Sequence, residues 1–225
     1  VAGGGPAGIC AAAAAARQGK KTALIERYGV LGGNLTVGCV GPILGNVAKG
    51  TMYDELRDLL LAEKEPGSAD KAQDMERTKG ILLDFVVKEG VFVYLQTPIV
   101  DVVCEDEKLT GVITAWKNGM AMISGEQFVD ATGDGDVACF AGVPFEMGRR
   151  EDGELQPVSL MYIVENVDES KAIICTGEED EVKLGDERFL EFTDRCCKEG
   201  ILPENCNCVR LYMTDYPGER LVNTS

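Results

Sequence analysis

Val1-Ala2-Gly3-Gly4-Gly5-Pro6-Ala7-Gly8, followed at once by the alanine run Ala11 to Ala16, is the stretch that decides the fold. Two residues of strand character run into three glycines, and a helix then extends from Ala7 to Gln18. Alanine is the best helix former, and its small side chain lets a helix lie close against a sheet. Gly19 ends the helix, Lys20-Lys21 suit the negative end of its dipole, and Thr22-Ala-Leu-Ile25 reads as the next strand. Strand, tight loop, helix and parallel strand within this span make a βαβ unit.

The glycines have separate physical tasks. Gly3 permits the tight turn out of the strand, Gly5 lets a pyrophosphate approach the backbone, and Gly8 allows close contact between helix and sheet. The helix N-terminus, with Pro6 and Ala7 beside it, offers N–H groups and a positive dipole end to phosphates. Glu26 follows Gly8 by 18 residues, where a carboxylate binds an adenosine ribose. A G-x-G-x-x-G match alone is weak, and the bland alternative is a glycine turn with Glu26 as a surface acid. The strand remnant, the immediate helix and the acid closing the second strand favour the nucleotide. They do not separate NAD from FAD, since both carry an ADP moiety.

Outward from this unit, residues 27–48 form a glycine-rich loop region. Helices are predicted over 51–63 and 72–88, parted by the breaker Glu65-Pro-Gly-Ser68, and Ile81, Leu82, Phe85 and Val86 give the second an apolar face. Short β-branched runs follow at 91–95, 99–104, 109–115, 121–124 and 127–130. Turn signals at 105–108 and 117–119 arrange them as an antiparallel meander. Ala131-Thr-Gly-Asp-Gly-Asp136 leads into a short helix at 137–141, with Asp134 or Asp136 as its N-cap. Past Arg149-Arg150 the pattern changes to a strand at 157–164, a helix at 186–198 and a strand at 208–213. The expected fold is α/β: a Rossmann-like domain over 1–150, with a parallel sheet plus the meander, then the start of a second domain over 151–225. The chain stops at Asn223-Thr-Ser225 without completing any recognisable unit, and both ends read as cut.

Composition narrows the function classes. The formal net charge of −16 repels phosphodiester backbones and anionic lipid, so no nucleic-acid or membrane-surface partner is expected. Any anionic cofactor must instead be held by local N–H dipoles. The chain has no histidine, which excludes Ser-His-Asp, Cys-His and His-metal catalysis within it. Nine cysteines, an odd number at irregular spacing, do not suggest a disulfide framework and point to thiols in a reducing cytoplasm. The apolar start lacks a basic n-region, and no run reaches the ~18 apolar residues of a membrane span. Cys196-Cys197 with Cys206-x-Cys208 invites a four-thiolate site, but zinc pairs are spaced C-x₂₋₄-C, so no metal is expected. Thiol clustering by chance, or a redox pair, fits better. Cys10, inside the alanine helix, is most simply a small buried residue.

The order of the glycine loop, Glu26-Arg27, Gly32-Gly33-Asn34 and Ala131-Thr132-Gly133-Asp134-Gly135-Asp136 resembles the FAD-dependent oxidoreductases of the glutathione-reductase-like superfamily. The closest resemblance is to members with a Gly-Gly-Asn-x-Thr segment. It spans essentially the whole chain, most firmly residues 1–40 and 127–148. The resemblance implies that FAD is the cofactor, with Gly3, Gly5, Pro6, Ala7, Gly8, Glu26 and Arg27 around its ADP part. Gly32, Gly33, Asn34 and Thr36 would run along the pyrophosphate and ribityl chain, and Ala131, Thr132, Gly133 and Asp134 would return to the cofactor. Residues around Pro98 to Val100 would lie by the adenine, through Val100 backbone groups. Cys39, just past Gly33-Asn34, is a candidate neighbour of the flavin.

The implied activity is oxidation or reduction of a small-molecule substrate by hydride transfer at flavin N5, with no catalytic residue identified. No Cys-x₄-Cys pair follows the glycine loop, which disfavours dithiol reduction. Arg149-Arg150 and Tyr162 fall where substrate domains of this superfamily meet the flavin, and a guanidinium there suits a carboxylate. A solvated linker charge is the simpler account of the arginines. Family members run well beyond this length, with a C-terminal segment that comes back to the flavin, so a fragment of a longer enzyme is expected. Two other classes stay open: an NAD(P)-binding reductase, in which Glu26 would favour NAD, and a non-catalytic dinucleotide-binding module.

Overall fold

The computed structural model of the chain describes residues 1–41, 47–62, 74–177, 181–204, 206 and 208–224. They fall into two units, the described residues within Val1–Glu63 and Met75–Glu146 forming one and those within Lys64–Asp74 and Met147–Ser225 the other. The predicted breaker at 65–68 and the first residues of the helix expected from 72 lie outside the described residues.

In the first unit, helix α1 (Pro6–Arg17) opens on a proline, whose fixed φ suits the first helical position. Gly19, at φ +74°, reverses the chain after it. Its buried face is Gly8, Ile9, Ala12 and Ala13, a narrow stripe of mostly small residues at four-residue spacing. Strand β1 (Ala23–Ile25) follows, then α2 (Met52–Leu61), α3 (Met75–Lys88) and strand β2 (Phe92–Tyr94). β2 lies parallel to β1, with Ala23 opposite Phe92 and Ile25 opposite Tyr94. On the other side of β1, Ala2 bridges in parallel to both Ile25 and Asp130. Gly3 N–H donates to Ile25 O at 2.8 Å, Ala2 N–H to Val129 O at 2.9 Å and Ala131 N–H to Ala2 O at 2.8 Å. The parallel layer therefore runs 92–94, 23–25, 1–2, 129–131.

Adjacent side chains of β1 serve opposite faces, as the pleat requires. Leu24 packs with Ile9, Ala12, Ala13, Leu82, Phe85 and Val86 of the helices. Ile25 packs with Ala2, Val112 and Val137 on the other side. That second side is covered by an antiparallel meander of β3 (Ile99–Glu105), β4 (Lys108–Trp116) and β5 (Gly119–Ser124). The β3–β4 turn carries Asp106 and Glu107 at positive φ, the geometry of the tightest hairpins. Helix α4 (Asp136–Phe140) closes the unit. The layering brings the C-terminal ends of the parallel strands, and the loops that leave them, to one edge of the sheet.

The second unit contains β6 (Leu160–Val164), β7 (Lys183–Leu184), β8 (Glu187–Arg188), α5 (Phe189–Lys198), β9 (Val209–Met213) and β10 (Arg220–Thr224). Its three-stranded sheet is antiparallel in the order β6-β10-β9, over a core of Cys175, Phe189, Val209 and Val222. Residues 220–224 form the central strand, paired on both sides. One expectation is corrected here. The helix expected from 186 begins at Phe189, because Gly185 at φ +67° turns Glu187-Arg188 back onto Lys183-Leu184. Among the described residues no helix is long and apolar enough to cross a membrane.

Candidate functional site

The N-cap of α1 is Gly5, and no side chain caps the helix. Its first N–H groups are thus left for a ligand or solvent. A Cβ built on Gly5 meets no atom within 4 Å. The neighbouring glycines face protein instead. A Cβ on Gly3, which holds φ +91°, would lie 2.3 Å from Ala131 O, and one on Gly8 would lie 1.8 Å from Gly3 O. Gly3 and Gly8 are packing glycines, and Gly5 is the open one.

Glu26 leaves β1 at the same edge and is only 5% exposed. Its Oε2 accepts the Gly4 N–H at 2.6 Å and its Oε1 accepts the Tyr28 N–H at 2.7 Å. The Arg27 guanidinium lies 4.9 Å above the Tyr28 ring. Gln96 N–H donates to Tyr28 O and Thr97 N–H to Glu26 O, which holds the segment after β2 alongside residues 26–28.

A third wall comes from residues 131–136. Gly133 at φ +95° and Gly135 at φ +72° bend this turn. Its N-cap is Gly135, with no side-chain cap of its own, so neither Asp134 nor Asp136 caps α4. The capping is done from further back. Asp130 Oδ2 accepts the Ala138 N–H at 2.8 Å, and its Oδ1 accepts the Thr132 hydroxyl at 2.7 Å and the Thr132 N–H at 3.1 Å. Thr132 Oγ1 in turn accepts the Asp136 N–H at 2.8 Å. Partial burial pushes the Asp130 carboxyl up, but the donors Ala138, Thr132 and Val137 outweigh it and hold the group below the usual carboxylate range. A depressed carboxylate contributes fully above its unfolded pKa of ~4 and loses that contribution as pH falls through the lower folded value. Asp130→Ala should therefore speed amide hydrogen exchange at Asp136 and Ala138 at neutral pH. In the wild type the same amides should loosen only in acid. Because Asp130 is exposed, the effect on global stability should be small.

These three walls enclose a cavity of about 760 Å³, within the usual range for small-molecule and cofactor sites. Of the residues predicted from sequence, Gly3, Gly5, Pro6, Ala7, Glu26, Arg27, Gly33, Asn34, Ala131, Thr132, Gly133 and Asp134 line it. Gly8, Gly32, Thr36 and Val100 are not among the lining residues. Gly8 is buried behind the loop, against Gly3 O. Gly32 donates its N–H to Gly4 O at 2.8 Å, and Thr36, 2% exposed, donates its hydroxyl to Leu31 O at 2.7 Å. Around the expected adenine segment it is Thr97, Pro98 and Ile99 that line the cavity. Ile25, Tyr28, Val37, Gly38 and Asp136 join them. Ile25, Tyr28 and Thr97 share one signal: each sits at or just past the end of a parallel strand.

Cys39 is half-buried at φ +57°, with burial pushing its thiol up, and it does not line the cavity. Arg149 is spent on Asp152 and Glu154 of its own turn, as a solvated linker charge would be. Tyr162 lies exposed on β6 of the second unit. None of the nine cysteines is in a disulfide, and among the described residues no group of three or more His, Cys, Asp or Glu is placed to hold a metal. Among the described residues the cavity lining carries Glu26, Asp134 and Asp136 against the one cation Arg27. An anionic ligand seated there depends on backbone N–H groups rather than on side-chain charge.

A sequence model of the family described as FAD dependent oxidoreductase matches residues 1–224. Several solved structures share the fold. A geranylgeranyl bacteriochlorophyll reductase-like protein from Thermoplasma acidophilum is 18% identical over 99% of this chain and 54% of its own, with a TM-score of 0.52. The flavin-dependent brominase Bmp2, as a triple mutant, is 14% identical over 99% of this chain and 55% of its own, with a TM-score of 0.52. The Diels-Alderase PyrE3 of pyrroindomycin biosynthesis is 17% identical over 99% of this chain and 45% of its own, with a TM-score of 0.56. At such identities the likeness is one of fold. The chain spans about half the length of these structures. No curated protein sequence matches it.

Proposed function

The chain belongs to the FAD dependent oxidoreductase family, and from that premise we propose that it forms the cofactor-holding part of an enzyme that oxidises or reduces a small molecule. FAD is its cofactor. The observation that carries the proposal is the uncapped start of α1 opening, through Gly5, into a cavity bounded by Glu26 and the 131–136 turn.

The residues present fit the group. The N–H groups at the start of α1 and the open face of Gly5 would take the pyrophosphate, whose charge the helix dipole favours. Glu26 would accept the ribose hydroxyls. Each carboxylate oxygen has two acceptor sites, so the bonds to Gly4 and Tyr28 leave room for them. The same carboxylate would repel a 2′-phosphate, which disfavours NADP. Gly33, Asn34 and the Ala131–Asp134 turn would hold the remainder of the cofactor, and the second unit would contribute the start of a substrate domain. Bound FAD supplies hydride exchange at flavin N5 with the substrate, and the protein's part is binding, orientation and exclusion of water.

The visible spectrum of the purified full chain tests this directly. Flavin absorbance bands that survive desalting are expected. A colourless protein that binds NADH and not FAD would replace the proposal with the NAD-binding one.

A further inference from the structure

Glu26 is buried and forms no ion pair among the described residues. Its neighbour Arg27 is turned onto Tyr28 instead. What holds the carboxylate is the peptide backbone, through the N–H groups of Gly4 and Tyr28. Gly4 occupies a position that the G-x-G-x-x-G pattern leaves open to any residue, yet it too is glycine and it is buried. A Cβ there would lie 2.9 Å from Glu26 Oε2, 3.1 Å from Glu26 Cβ and 2.5 Å from a Leu31 methyl. On its other side, Gly4 O accepts the Gly32 N–H at 2.8 Å. The residue that leads into the phosphate loop is thus tied by its N–H to Glu26 and by its carbonyl to Gly32.

We infer that Glu26 is a positioning residue for the phosphate loop. Its carboxylate fixes the Gly4 amide, and so sets the Gly4-Gly5 backbone and the first turn of α1 toward the cavity before any ligand arrives. Gly4 is glycine because this carboxylate and Leu31 occupy the space of a side chain. The inference rests on the cavity being the FAD site and adds to the ribose role of Glu26 a second one that no ribose hydroxyl is needed to express. Removing the carboxylate leaves the buried Gly4 N–H without its acceptor, a state that backbone relaxation would relieve at the expense of the loop's shape.

The two roles separate with a pair of probes, ADP and 2′,3′-dideoxy-ADP, which share adenine and pyrophosphate and differ in the ribose hydroxyls. Binding to the full chain would be measured for the wild type, Glu26→Gln and Glu26→Ala. A ribose contact alone predicts that the variants lose affinity for ADP and keep it for dideoxy-ADP. The positioning role predicts that Glu26→Ala weakens both, dideoxy-ADP by about tenfold, the scale of one lost hydrogen bond to a charged group. Glu26→Gln, which keeps one acceptor, should fall between. In the ligand-free protein the Gly4 and Tyr28 amides should exchange hydrogen faster in both variants. Unchanged dideoxy-ADP affinity together with unchanged Gly4 exchange overturns the inference. If the wild type binds neither ADP nor FAD, the proposed function fails, while Gly4 exchange in the ligand-free variants still decides the positioning role.

Discussion

Gly5→Val is expected to abolish FAD retention and leave the folded chain intact. The backbone at Gly5 sits at φ −71° and ψ 179°, an extended conformation open to every residue. A Cβ there touches nothing within 4 Å, so the substitution starts from open space rather than from a packed contact. What it fills is the space in front of the first turn of α1, where the N–H groups at the helix start face the cavity. A pyrophosphate can approach those groups only if that space is empty. Among the described lining residues Arg27 is the one cationic side chain, so side-chain charge offers the phosphates little in place of those N–H groups. The expected loss is about 100-fold or more in FAD affinity, ~3 kcal/mol, with the melting temperature of the ligand-free chain close to wild type. Flavin-to-protein absorbance after desalting reads the first quantity and thermal unfolding the second. A Gly5→Val chain that keeps its full FAD content would move the cofactor out of this cavity.

The parts of this site visible in the sequence are those where a local rule and a ligand demand the same residue. Gly3, Gly5 and Gly8 are such cases: each is needed by the chain's own geometry or by close approach, so the pattern of three betrays the loop. Glu26 was visible by its distance from them. Its two bonds to backbone N–H groups were not, because nothing in a linear sequence says that a carboxylate already has partners. Asp134 and Asp136 looked like helix caps because they stand at the start of α4, and capping is read from proximity along the chain. The actual acceptors, Asp130 and Thr132, reach the helix across a turn bent by two left-handed glycines. Thr36 and Gly32 were placed on the cofactor by resemblance, but their polar groups serve the protein's own loop. In the second unit, β10 escaped notice since Arg220-Leu-Val-Asn-Thr224 shows no alternation. It is made a strand by pairing with β9 just before it and with β6, which is distant in sequence.

Gly8→Ala is expected to do what Gly5→Val does not, which is to unsettle the fold itself. The added methyl would sit 1.8 Å from Gly3 O, far inside van der Waals contact. Gly3 is held in place, because its N–H is bonded to Ile25 O across the parallel sheet and the neighbouring Ala2 O accepts the Ala131 N–H. The strain must therefore be relieved by lifting α1 off the sheet. That separates Ile9, Ala12 and Ala13 from Leu24 and the α3 residues Leu82, Phe85 and Val86, the best-buried contacts of the unit. Overpacking of a tight core costs about 1–3 kcal/mol. At this chain length that is a fall of roughly 2–12 °C in melting temperature, taking ~2–4 °C per kcal/mol. FAD is lost as well, since the start of α1 moves with the helix. Two glycines three residues apart should thus give separable results: one variant folded and empty, the other empty because the helix that presents the phosphate site has moved. If Gly8→Ala matched the wild type in stability, the close contact between the start of α1 and Gly3 could not be what sets the loop.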